Sequence, residues 1–585
     1  MKILPVFRLR KMTVVAGLLA AVFGAGMVSA NLDRQQTQML LTAFSETRFT
    51  GLGDYLDRVA TLPAMNEAAI DTLIQNYAAG TTLSLDEAYI MCRLLGIYAR
   101  LQYGDEAMAT LARLVAIPTF QVEGVPQHEN PEFQRFAAEL EEIATGFGLA
   151  FRNVDNRVYE ITLEGEGNEL IGLHAHADVV PVNPDLWVLE DGTRLDPFNV
   201  ATIGNRMYGR GTEDDKNGIV VALYAMRVIQ EESLPLFRNV RLLVDTTEET
   251  SSEAIPYYFE SNPVPAYNLA LDGGYPVIIA EKGYGTVMAS FPVRAASGEG
   301  AEIINMTGGL ATNQIPAAAT ATLRSTNPAQ LADRLNRAAP AYIARVASNG
   351  GIFSISAAAE NGLVRLQVDG VSAHSSAPGS GINPVSRMLD FLYEVSGEVN
   401  FKSNQFSDAV RYGVENFGLD YTGERLGISH EHDFMGPLTA ALTFIAVDDE
   451  RLRLATNLRV PAGLDVGGLR SDVENKLNAW AESGGVVVNV EVSVGEPMYR
   501  NPEGDIVNAL LDVATENLGL PREFGSSGGA TSIHNLPNGM QFGLSMPGVK
   551  YTGHNANEFK TIDQFLLDLQ IVTEMMIRIG NFGAL

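Results

Sequence analysis

The sequence is poor in cysteine, in basic residues and in long apolar runs. Cys92 is the only cysteine, so no intrachain disulfide can form and no thiolate-rich structural zinc site can be built. Its neighbours are apolar at helical spacing, which reads as a core thiol. Lys and Arg number 41 against 70 Asp and Glu, a formal charge of −29. Residues 1–30 carry Lys2, Arg8, Arg10 and Lys11 and no acid, so the remainder stands at −33. A body this acidic repels nucleic acid and anionic membrane, and neither is expected as a partner. Past residue 30 no apolar stretch is long enough to span a bilayer. There is no internal repeat and no low-complexity tract.

What is present suffices for two or three domains and a large core, since the chain has 585 residues. Residues 1–30 read as a secretory signal. Four basic residues precede the apolar run Val14 to Val28, and Val28-Ser29-Ala30 offers a cleavage site that leaves Asn31 first. Export to the periplasm or beyond is therefore expected, with no stable membrane insertion after cleavage. The other reading, an uncleaved anchor, needs a longer run. No lipid-accepting Cys follows, which argues against a lipoprotein. Residues 31–104 form a helical N-terminal extension, with Ile90, Leu94, Leu95, Ile97 and Tyr98 at helical spacing between Leu85 and Leu101. A new helix is expected over Ala107–Val115, stopped by Ile117-Pro118, and another over Phe133–Phe147.

Residues 170–282 hold the chemistry. Three short polar clusters each follow an apolar, β-rich run: His174-Ala175-His176-Ala177-Asp178, Asp245-Thr246-Thr247-Glu248-Glu249, and Asp272-Gly273-Gly274. Between the first two lies Gly209-Arg210-Gly211-Thr212-Glu213-Asp214-Asp215-Lys216-Asn217-Gly218, which leads into a helix-like run, Ile219 to Glu232. Strands alternating with helices indicate an α/β sheet, and sites in such sheets form at the carboxyl ends of strands. Acids and histidines recurring there point to a hydrolytic centre for divalent ions, which imidazole and carboxylate can ligate and carboxylate can bridge. From about 285 to 495 the composition shifts to β-like runs (Val287 to Val293, Val364 to Val368, Val486 to Val494) among Ala- and Leu-rich helices. That stretch reads as an inserted domain dividing a catalytic domain into 105–284 and 496–585. The last part holds a helix (Ile506 to Leu518), a Gly-rich turn (Gly525 to Gly529), a loop with His554 and a final helix.

These clusters resemble the cocatalytic metallopeptidase family of carnosinases, carboxypeptidase G and succinyl-diaminopimelate desuccinylase, and most of all its peptidase V dipeptidases. The matching stretches are His176-Ala177-Asp178-Val179-Val180-Pro181, Gly209-Arg210-Gly211 through Gly218, Glu248-Glu249-Thr250, and Asp272 to Gly283 with Glu281-Lys282-Gly283 at its end. The likeness covers about 105–585 and leaves 31–104 outside. It implies a zinc-exopeptidase-like mixed sheet sandwiched by helices, with a large α+β lid inserted. It also implies two divalent ions, zinc first with manganese or cobalt compatible. His176 and Asp272 would bind one, Glu249 and His554 the other, and Asp214 both. Glu248 would be the general base toward a shared water, and Asp178 would accept from the far nitrogen of His176. The peptide after the bridging aspartate, Asp214–Asp215, is cis in the family.

Within the lid, Gly370-Val371-Ser372-Ala373-His374-Ser375-Ser376-Ala377-Pro378 resembles the motif whose histidine stabilises the oxyanion, which nominates His374. Asn313, in Ala311-Thr312-Asn313-Gln314-Ile315-Pro316, resembles the lid asparagine beside it. Arg459, in Asn457-Leu458-Arg459-Val460-Pro461, resembles the arginine that pairs with the substrate carboxylate; a structural salt bridge is its rival. Gly529 lies in the turn expected to line the substrate. A lid of this length implies that His374 serves its own chain, hence a monomer. Ala175, Asn217 and Ala530 stand where the family has glycine. His174, two residues from His176, and His128, His430, His432 and His534 read as structural or exposed. The function implied is a secreted dipeptidase acting on short peptides with a free carboxylate. The alternatives are an N-acyl amino acid deacylase or desuccinylase on the same metal site, and a catalytically dead binding module, which should have lost ligands that this sequence retains.

Overall fold

The computed structural model describes residues 32–62, 68–309, 311–347 and 352–583; the signal-like segment 1–30 lies outside them. The chain divides into two compact units. The first runs to Ile279 and resumes over Arg500–Gly525 and from Thr531 onward; the second takes Ala280–Tyr499 and Ser526–Ala530. Among the described residues, no helix is long and apolar enough to cross a membrane.

The first unit is built on a mixed sheet. Its strands lie in the order Ala150–Val154, Val158–Leu163, Asn239–Asp245, Leu170–His176, Tyr267–Ala270, Gly539–Gln541 and Ile278–Glu281. The middle four are parallel, and the others antiparallel. Leu170–His176 is buried along nearly its whole length, as a central parallel strand must be. Register pairs His176 with Asp245 and His174 with Ala270. The polar clusters following these strands therefore emerge at one end of the sheet.

Leu85–Val115 is one helix of 31 residues, so the expected border between 104 and 105 falls inside it, as do the two shorter helices expected on either side. It begins at a capping box in which Ser84 and Glu87 each accept the other's backbone N–H. Gly104, at that expected border, is a packing contact within the helix. A Cβ there would come within 2.5 Å of Leu566, and one at Gly96 within 2.5 Å of the Gln570 carbonyl oxygen. These two glycines, eight residues apart on one helix face, let the helix lie close against the last helix, Ile562–Asn581.

Buried ion pairs hold that contact. Arg93 reaches Glu574 and, at 3.1 Å, Glu516; Arg578 reaches Glu574 at 2.6 Å and Glu516 at 3.2 Å. Burial pushes the Glu574 carboxyl upward, but Arg93 and Arg578 overcome this and hold it below its usual range. Removing one member of a buried set leaves charge uncompensated. Arg93→Ala is therefore expected to destabilise the protein by about 3–5 kcal/mol in denaturant unfolding. A loss under about 1 kcal/mol would mean that the N-terminal helices are not clamped to the body this way.

The second unit is an antiparallel sheet in the order Ser354–Glu360, Leu363–Asp369, Ala318–Arg324, Glu302–Gly308, Thr439–Val447, Arg451–Val460, Gly283–Pro292 and Asn489–Val494. Alternate residues are buried along Gly283–Pro292 and Leu363–Asp369, so one face carries the core. Residues of the helices Pro328–Val346, Pro384–Val399, Gln405–Asn416 and Val466–Gly484 complete that core. This is the expected α+β insertion, with borders at 279/280 and 499/500 rather than 284/285 and 495/496. The first border lies inside the strand Ile278–Glu281, where composition does not change. Gly529 also belongs to this unit, not to the second catalytic segment: the Lys282 N–H donates to Ser527 O at 3.0 Å, and Arg459 donates to Gly528 O at 3.1 Å.

Candidate metal centre

The carboxyl end of the parallel strands gathers two imidazoles and a group of acids. His176 ends its own strand, while Glu248, Glu249 and Asp272 follow the two strands that flank it. Asp214 comes from the turn before the helix Lys216–Glu231, and its peptide bond to Asp215 is cis. Lys216 is buried and donates to Leu114 O at 3.1 Å and Ile117 O at 2.7 Å, so it anchors this turn to the C-terminal end of the long N-terminal helix.

Asp214 has an imidazole on each oxygen. His176 Nε2 lies 3.0 Å from its Oδ1, and His554 Nε2 lies 3.0 Å from its Oδ2. His176 Nε2 is also 3.6 Å from Asp272 Oδ2, and His554 Nε2 is 2.7 Å from Glu249 Oε1. Five scattered segments thus bring together all five expected ligands. Ligand distances of 2.0–2.2 Å give tetrahedral edges of about 3.4 Å, close to these separations. Two donor groups fall within 4.8 Å, His176 with Glu248 and Asp272, and His176 with Asp214 and Glu249. Burial pushes the Glu248, Glu249 and Asp272 carboxyls above their usual range, and neighbouring carboxylates add to it. A buried acid cluster this short of positive charge suits divalent cations.

The Asp178 carboxylate lies in ion-pair range of His176, as expected, but it is not the nearest acceptor. His176 Nδ1 is 2.8 Å from the Asp178 backbone carbonyl oxygen, which orients the ring, while the carboxylate stands 3.6 Å away. The carboxylate also accepts the backbone N–H of Glu248 at 3.1 Å and of Glu249 at 3.0 Å. An acceptor on each of two successive N–H groups holds the expected base and the expected ligand beside it in register. His174 is buried with Nε2 3.0 Å from Asn268 Oδ1, and burial pulls it down to about 4, so it stays neutral and structural.

Two neighbours escaped the sequence reading. Tyr551 donates its hydroxyl to Asp214 Oδ2, and its ring folds back over Gly553, where a Cβ would sit 2.3 Å from the phenolic oxygen. Glu558 is fully buried against Arg210, whose Nη1 donates to it at 2.6 Å. Arg210 stood in the Gly-Arg-Gly motif, but nothing local distinguishes Glu558 from the many solvated acids, because its partners lie about 345 residues away.

The four lid candidates also come together, within the second unit. Gln314 pairs with His374 across a short two-strand ladder, and the Ser375 N–H donates to Asn313 O at 3.0 Å. Arg459 donates to Asn457 Oδ1 at 3.0 Å, to Gly528 O at 3.1 Å and to Ser375 Oγ at 3.4 Å, with Tyr284 beneath it at 4.9 Å. Gly529 follows in the same turn, its N–H on Ser527 Oγ. His374 is exposed, with Nδ1 2.6 Å from Ser376 Oγ. Arg459 is buried with no carboxylate in ion-pair range among the described residues, and burial lowers it to about 10. The rival reading, a structural salt bridge, therefore has no partner there.

A sequence profile described as Peptidase family M20/M25/M40 matches residues 172–578. The chain belongs to this family. It is a hydrolase of the metallopeptidase class, in keeping with the acids and imidazoles gathered at the sheet end. Two relatives of this M20 chain carry dipeptidase names. One is the putative dipeptidase YtjP of Bacillus subtilis, 28% identical over 76% of this chain and 89% of that one. The other is the Beta-Ala-Xaa dipeptidase of Lactobacillus delbrueckii, 27% identical over 70% and 82%. Human carnosine dipeptidase 1 shares the fold, with a TM-score of 0.51 at 13% identity over 84% of this chain and 99% of that one.

Proposed function

We propose that this M20 peptidase is a dipeptidase that hydrolyses short peptides ending in a free carboxylate, at two divalent cations shared through Asp214. His176 and Asp272 would hold one cation, and Glu249 and His554 the other. When bound, the ions lower the pKa of a water toward neutrality and polarise the scissile carbonyl. Glu248 takes the proton of that water as its oxygen attacks the carbonyl carbon. It then delivers the proton to the amine nitrogen as the C–N bond breaks. Asp178, through two backbone N–H groups, keeps Glu248 aimed. His374 donates to the oxyanion, Asn313 and Gly529 contact the substrate, and Arg459 receives the substrate carboxylate in its planar fork. A monomer exported through residues 1–30 completes the reading.

Arg459 supports the substrate class most directly: a buried guanidinium with no acid in ion-pair range among the described residues invites an anion. The relatives named as dipeptidases point the same way. The test is turnover by zinc- or manganese-loaded protein on free dipeptides, their C-terminal amides and N-acylated amino acids. Free dipeptides should be cleaved, and their amides should lose roughly 2 kcal/mol or more of transition-state binding, about thirtyfold in kcat/KM. Cleavage of N-acyl amino acids alone would replace dipeptidase with deacylase. Equal turnover of amides and free acids would remove the role of Arg459.

A further inference from the structure

Glu558 is a fully buried carboxylate whose hydrogen bonds converge on the turn that presents Asp214. Its Oε1 accepts three backbone N–H groups, from Gly211 at 3.0 Å, Glu213 at 2.8 Å and Asp214 at 3.2 Å. Its Oε2 accepts Arg210 Nη1 at 2.6 Å. Successive N–H groups pointing into one hollow make an anion-binding nest. Gly211, at φ +92°, supplies the backbone conformation that such a turn needs. Here the anion comes from the chain itself, four residues beyond His554.

The same two loops are laced at other points. Arg210 Nη2 donates to Asn555 O at 3.2 Å, Thr552 donates from both its N–H and its hydroxyl to Glu213, and Phe559 pairs with Tyr208 in an antiparallel ladder. His554 itself sits at φ +64°, a conformation that a non-glycine residue keeps only when its surroundings impose it. The loop bearing the distal imidazole and the turn bearing the shared carboxylate are thus fastened to each other, with Glu558 and Arg210 at the joint.

We infer, on the strength of the two-cation reading above, that Glu558 is a positioning residue which sets the spacing between Asp214 and His554 and so governs the affinity of the cation held by Glu249 and His554. It touches neither substrate nor cation. The site of His176 and Asp272 draws its other ligands from strand ends that Glu558 does not contact, and is affected much less.

The test is zinc affinity of the full-length protein by chelator competition, resolved into two binding steps, together with dipeptide turnover at rising zinc. Glu558→Gln keeps an oxygen for the three N–H groups but sets an amide NH₂ against Arg210. It should weaken one binding step by about 10–100-fold, leave the other within about threefold, and recover kcat at saturating zinc. The metal-free variant should melt below the parent, because Arg210 loses its buried counter-charge, but a merely structural role would weaken both binding steps together, so the unequal loss is the readout that separates the two. If this variant fails to fold, Arg210→Gln breaks the same joint and leaves the nest intact, with the same expected outcome. Two unaltered zinc affinities in a folded variant would overturn the inference, as would equal weakening of both steps. A parent protein that binds no zinc, manganese or cobalt would overturn the two-cation reading itself, and the two failures are therefore distinguishable.

Discussion

Glu248→Gln is expected to lower kcat by about 10²–10⁴-fold, the usual contribution of a positioned general base, while the protein keeps its full complement of metal. Geometry alone leaves two roles open for this side chain, because its carboxylate lies within 4.8 Å of the donor atoms of His176 and Asp272 and could itself ligate. The hydrogen bonds favour the base. The Glu248 N–H is held by Asp178 Oδ1 at 3.1 Å, which directs the side chain without committing its oxygens. Burial, with Asp272 and Glu249 adding to it, pushes its carboxyl upward, the direction a proton acceptor working near neutral pH requires. Metal content measured beside kcat separates the two. A tenfold or smaller loss of kcat with metal retained would deny the base role, and loss of metal would make Glu248 a ligand.

Asp214→Ala should have a larger effect. At present each imidazole faces one oxygen of this carboxylate at 3.0 Å, so on the proposed two-cation reading its removal would take a ligand from both sites at once. Three protein ligands are the working number for a catalytic site, and two would remain at each. Bound metal should fall well below two ions per chain. Activity should fall by more than about 10³-fold, since without the ions the attacking water returns toward a pKa of about 15.7. His176→Ala would be the gentler comparison because it strips one cation only. Metal analysis of the folded variant decides the matter: two ions retained with Asp214 absent would refute the bridging role.

Much of this was legible in the sequence because the fold uses regular local signals. Apolar β-rich runs ending at Leu173, Val244 and Leu271 and followed by His, Asp or Glu announced strands that end at His176, Asp245 and Ala270, and the order of these clusters carried the family resemblance. Where the reading slipped, the cause was tertiary. A domain border was expected after residue 104, yet Gly104 lies within one continuous helix where another helix packs close. The Asp178 carboxylate was assigned to His176 by analogy, and the nearer acceptor proved to be the backbone carbonyl of the same residue. The segment 526–530 joins the lid through hydrogen bonds from the Lys282 N–H and the Arg459 side chain that no composition signals.

The sequence by itself determined which side chains can hold a divalent cation, and that no thiolate competes with them; residue type and strand periodicity are local properties, and they survive without coordinates. Only the tertiary structure decided which of seventy acids lie buried beside an imidazole and which stand in water. A carboxylate becomes a ligand, a base or a peg such as Glu558 according to the desolvation and partners it meets, and those partners arrive from hundreds of residues away.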